Sequence, residues 1–187
     1  MKLKRVILSL VFTLAINIAV VGQTVSFELK TSPNIIFDFN TIQEYINGIT
    51  YMNAVTLNIN TTERFDIYVG ATTTNVGYWD VTSTYSTGGD PPPISILKLQ
   101  FRNGSSTSLM SGFFPLQDIA SPTYIIGTNA APDGSISCPN NGTNAPGDYL
   151  TSPSCYKFNV DLRIVPGFTY QSGLYTLRID YVIIQDL

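Results

Sequence analysis

Chemistry in this chain would have to come from carboxylates, amides and aromatic rings, because its 187 residues include no histidine, two cysteines and a single tryptophan. Without an imidazole, neither a Ser-His-Asp nor a Cys-His nucleophile can be assembled, and two cysteines alone do not make a zinc site. What remains for an enzyme is a carboxylate pair of the glycosidase kind. Asp161 and Asp180 fall on neighbouring predicted strands, but both alternate with apolar residues and are expected on the outer, solvated face. Asp133, Asn140, Asn141 and Asp148 offer oxygen ligands for calcium, yet lack the fixed spacing of a known loop, so ordinary turn chemistry is the simpler reading. The sequence assigns no catalytic residue, no metal and no cofactor.

Two other groups of residues stand out. Trp79, beside Tyr78 and near Tyr85, has the ring chemistry to stack on a sugar, although an indole filling a β-sandwich core is the blander account and the favoured one. Cys138 and Cys155 flank a loop dense in Pro, Asn and Gly, and a bridge between them would close that loop for about 3 kcal/mol of chain entropy. Asn60-Thr61-Thr62, Asn103-Gly104-Ser105 and Asn141-Gly142-Thr143 match the glycosylation triplet, which a chain rich in Asn, Ser and Thr produces by chance.

The elements that must position these residues read as strands. Period-two alternation places Val25, Phe27 and Leu29 on one face, and it recurs in Val55, Leu57, Ile59; in Phe65, Ile67, Val69; from Ile94 through Phe101; and in Phe158, Val160, Leu162, Ile164. It is clearest at the end, where Tyr175, Leu177, Ile179, Tyr181 and Ile183 oppose Thr176, Arg178 and Asp180. Turn signals such as Asn47-Gly48, Asn103-Gly104, Pro166-Gly167 and Ser172-Gly173 separate the runs. Thr41-Ile42-Gln43-Glu44 is a capping-box pattern for one short helix, and Pro91-Pro92-Pro93 should be a stiff lead-in at a sheet edge. The expectation is an all-β, antiparallel two-layer β-sandwich of the immunoglobulin-like kind, with seven to nine strands.

The first residues point to export. Lys2, Lys4 and Arg5 precede an uncharged apolar run from Val6 to Val21, about 24 Å as a helix and short of the roughly 30 Å hydrocarbon core. Residues 1–22 are therefore expected to be a cleaved signal peptide and 23–187 a single domain, with no integral membrane segment after cleavage. Loss of Lys2, Lys4 and Arg5 leaves seven basic against thirteen acidic residues, a balance that does not attract nucleic acid. The stretch Val165-Pro166-Gly167-Phe168-Thr169-Tyr170-Gln171-Ser172-Gly173-Leu174-Tyr175-Thr176 and onward to Ile183 resembles the last strand of bacterial pilin-like and surface-fibre β-sandwiches, in which a Gly-x-Tyr-Thr step leads into an alternating strand. The resemblance implies a secreted or cell-surface subunit of an extracellular filament, with self-association or other surface proteins as partners. Such fibres assemble by strand donation, and the segment carrying Val25, Phe27 and Leu29 is the candidate donor, its alternative being the first strand of its own sandwich. A secreted carbohydrate-binding module, with glycans as partners, is the rival reading.

Overall fold

Short alternating runs of β-branched and aromatic residues become strands where a second layer can cover one of their faces. The computed structural model describes residues 24–31, 34–110, 112–127 and 145–185. In chain order its elements are β1 (Val25–Thr31), α1 (Ile42–Asn47), β2 (Ile49–Thr61), β3 (Phe65–Thr72), β4 (Asp80–Thr84), a 3-10 turn (Ile94–Ile96), β5 (Leu97–Asn103), β6 (Phe114–Pro115), β7 (Thr123–Ile126), β8 (Gly147–Asp148), α2 (Pro153–Tyr156), β9 (Lys157–Ile164), β10 (Gly173–Thr176) and β11 (Arg178–Gln185). With β6 and β8, of two residues each, set aside, nine strands remain.

All ladders between these strands are antiparallel. The larger sheet runs β1-β2-β9-β5-β6, with β8 also on β2; the second runs β11-β3-β7; a separate two-stranded ribbon joins β10 to β4. The core lies between the first two sheets. Val55, Leu57 and Ile59 of β2, Phe158 to Ile164 in alternation on β9, and Leu97, Leu99 and Phe101 of β5 meet Phe65, Ile67, Val69 and Ala71 of β3. The rings of Phe101 and Tyr181 stand 6.1 Å apart across this interior and tie β5 to β11.

Several local expectations take a different form. Ile94 and Ile96 sit in the 3-10 turn rather than at the start of a strand, because Pro93, at φ −68° and ψ 152°, delivers the chain into a tight turn closed by Ile96 N–H on the Pro93 carbonyl at 3.2 Å. The run from Leu174 to Ile184 keeps its alternation but changes partner at Leu177, with β10 pairing β4 and β11 pairing β3. The capping box forms as read: the Glu44 N–H donates to Thr41 Oγ1 at 3.3 Å, and the Thr41 N–H donates to Glu44 Oε2 at 2.8 Å. Next to that helix, residues 34–40 run extended with Ile35, Phe37 and Phe39 turned to the core, and the Tyr51 hydroxyl donates to the Ile36 carbonyl at 2.9 Å.

Candidate functional site

The side chains singled out for chemistry are spent on structure. Asp161 has the outward parity its alternation indicates, but it is fully buried, which corrects the solvated reading. Its two oxygens accept from Arg102 Nε and Nη2, both at 2.8 Å, and Oδ1 also accepts the Asn53 N–H at 2.7 Å. Asn53 sits at φ 52° where the β2–β9 register shifts, so the carboxylate pins an irregularity in β2. Asp180 accepts from Thr72 Oγ1 at 2.5 Å and pairs with Arg178 Nε at 2.9 Å; Asp80 Oδ1 accepts the Thr74 and Asn75 N–H groups. Thr72, Thr73, Thr74, Asp80 and Arg178 line a shallow open hollow.

Among the described residues no group of three or more Asp, Glu, Cys or His side chains is placed to hold a metal. Asp133, Asn140 and Asn141 lie outside the described residues, while Asp148 caps a turn by accepting the Leu150 N–H at 2.6 Å. Cys138 also lies outside them, so its pairing with Cys155 stays an expectation; Cys155 itself is fully buried against the core. Of the glycosylation triplets, Asn103 is 2% exposed and its Oδ1 accepts the Ser105 and Thr107 N–H groups, which ties that side chain into its own turn.

The three aromatic residues proposed for stacking do not act as one platform. Trp79 packs against the core with its indole N–H buried and unpartnered, and its backbone N–H donates to the Pro92 carbonyl at 3.0 Å. Tyr78 and Tyr85 are exposed. The triple proline thus serves as the backbone partner that holds Trp79 in place.

The donor candidate forms β1, an edge strand paired with β2 over seven residues, from Val25 opposite Thr61 to Thr31 opposite Val55. This is the in-domain alternative to donation. Its polar face is fastened by Asn58 Nδ2 donating to Glu28 Oε2 at 3.0 Å; that bond, assisted by Lys30, holds the Glu28 carboxyl below the usual carboxylate range. Thr24 and Thr62 close the end of the ladder through two bonds of 3.0 Å, Thr62 N–H to the Thr24 carbonyl and Thr24 N–H to Thr62 Oγ1.

The apolar face of β1 is different. Phe27 and Leu29 stand opposite Ile59 and Leu57, both fully buried, so directly opposed side chains share the core-facing side of the sheet. Yet Val25, Phe27 and Leu29 remain 39%, 37% and 44% exposed. The cause is the width of the layers. Among the described residues the larger sheet has five strands in a row and the facing sheet has three. Chain 114–119 fixes their alignment: Phe114 pairs with Leu99, the Leu116 N–H donates to the Leu97 carbonyl, and Gln117 and Ile119 bond to Ala71 on β3. The β7 side of the facing sheet therefore stands by the β6 edge, which leaves β11 on the side of β1.

No described strand pairs with the outer edge of β11. Its core-facing Ile179, Tyr181 and Ile183 are only partly covered, and the Tyr181 hydroxyl is buried without a partner; burial pushes that phenol far above the ordinary tyrosine range. Sequence reasoning found β1 but not this edge, because alternation records which side chains face inward and not which backbone lacks a neighbour. Searches against protein-family models and against curated proteins found no match for the chain.

No helix among the described residues is long and apolar enough to cross a membrane.

Proposed function

We propose that this chain is a secreted structural subunit of a bacterial extracellular filament, assembled when β1 of one copy adds to the outer edge of β11 in another. The supporting observation is the mismatch between the layers. Among the described residues a five-strand sheet faces a three-strand sheet, the apolar row Val25, Phe27 and Leu29 of β1 stays 37–44% exposed in its own seat, and no described strand pairs with the outer edge of β11. A strand added there gains main-chain hydrogen bonds from an open edge and turns an apolar row into the interlayer space, the physics of β-strand addition. Removing the remaining exposed portion of such a side chain from water contributes about 1 kcal/mol. Open edges of this kind are ones that proteins otherwise blunt with charge, proline or a covering loop. Arg178 and Asp180 supply charge at the start of β11, while Tyr181 to Ile184 is an uncharged run.

Deleting residues 23–30 tests the reading. A folded monomer that no longer polymerises is the expected product. An unfolded chain, or filaments that persist unchanged, would overturn it.

A further inference from the structure

The seat that β1 occupies and the seat proposed for it in a filament are different places, and one strand cannot fill both. We infer that β1 docked on its own β2 is an autoinhibitory latch, fastened at Glu28–Asn58, which holds the subunit as a monomer until the strand is released; this rests on the fibre-subunit reading above.

The latch has two properties that suit reversible release. Its hold is polar and peripheral: a ladder of seven residues, the Asn58 amide on Glu28 at 3.0 Å, and the Thr24–Thr62 bonds at one end. Val25, Phe27 and Leu29 are 37–44% exposed in this seat, so docking on β2 covers their apolar row only in part. Its inner partners Leu57 and Ile59 are fully buried within the larger core, which stays in place through the β2–β9 ladder when β1 departs. Occupying β2 also protects an edge, since a thirteen-residue strand left open would invite unspecific pairing. Asn58 is the informative fastening residue, because it is 4% exposed, belongs to the strand that stays behind, and has its Oδ1 unpartnered. Its amide bond to Glu28 joins the polar faces of the two strands in mid-ladder.

The test compares assembly rates by light scattering at equal concentration for the parent, for Val25→Cys with Thr61→Cys, and for Asn58→Ala. Val25 and Thr61 are directly opposed, so a disulfide there tethers β1 to its own sheet. The oxidised tethered chain should assemble at least tenfold more slowly than the parent, and reductant should restore the rate found for the parent in the same reductant. Asn58→Ala should assemble roughly twofold to fivefold faster, the scale of one exposed charge-assisted contact. A tethered chain that assembles as fast as the parent overturns the latch and leaves the fibre reading standing. An Asn58→Ala chain that folds and assembles no faster overturns Asn58 as the fastening residue and with it the inference as stated. A parent that stays monomeric at every concentration removes the fibre reading and the latch together.

Discussion

Replacing Asp161 by alanine should be among the most damaging single changes in the larger sheet, though it touches no core side chain. The carboxylate is fully buried, Arg102 beside it is 16% exposed at its side chain, and three donors converge on its two oxygens at 2.7–2.8 Å. Alanine leaves the guanidinium with Asn53 Oδ1 as its remaining acceptor and strips the Asn53 N–H of its partner at φ 52°. Breaking a buried pair by removing one member costs about 3–5 kcal/mol, because the survivor keeps its desolvation penalty. Against a total stability of roughly 5–15 kcal/mol that is at least about a fifth of the margin. With a urea slope of about 2 kcal/mol/M, the unfolding midpoint should fall by about 2 M at unchanged slope. Asp161→Asn, which keeps the shape and one acceptor oxygen, should lose about half as much. Asp180→Ala is the internal control: its partner Arg178 is 71% exposed, so the ion pair is screened by water and the loss should stay within about 1 kcal/mol. Equal midpoints for Asp161→Ala and Asp180→Ala would refute the reasoning, since burial is the only large difference between the two sites.

Two further outcomes follow from the same structure and a third from the sequence. Tyr181→Phe removes a buried hydroxyl that has no partner, so at pH 7 it should be neutral or stabilising by about 1 kcal/mol in urea denaturation. Because folding raises the Tyr181 phenol above its unfolded value near 10, this group leaves the parent's stability unchanged below pH 10 and lowers it as pH rises further. The Phe variant should therefore lose less stability between pH 10 and 11 than the parent, and an identical loss would count against the burial. Trp79 is the sole tryptophan, so its fluorescence should resist iodide quenching and stay unshifted on adding oligosaccharide; ready quenching with a sugar-dependent shift would favour the glycan reading. Cys138→Ser should lower stability by about 3 kcal/mol without abolishing the fold, and two free thiols in unreduced secreted protein would end the idea of a bridge.

The parts of the fold that the sequence reveals are those where burial and alternation coincide. Phe65, Ile67 and Val69 predict β3, and Phe158 to Ile164 predict β9, because each strand has one face against the core and the period-two pattern survives. The Thr41–Glu44 capping box is legible because both reciprocal bonds are local. What stays hidden depends on partners distant in sequence. The alternation from Tyr175 to Ile183 passes through Leu177 unbroken, so nothing local marks the step from the β10–β4 ribbon to β11. Asp161 has outward parity, and only the return of Arg102 and the Asn53 irregularity over it makes the position dry. Alternation groups Trp79 with Val81, yet Val81 is 49% exposed on the ribbon while Trp79 packs inward, held through the Pro92 carbonyl. The edge of β11 that no described strand pairs is hidden for the same reason: no residue type spells out which strands will be neighbours.

Electron microscopy of the purified protein across a range of concentrations tests the central claim most directly. The account predicts fibres of uniform width that are absent when residues 23–30 are deleted. Single-domain particles at every concentration, with the N-terminal strand intact, would contradict it.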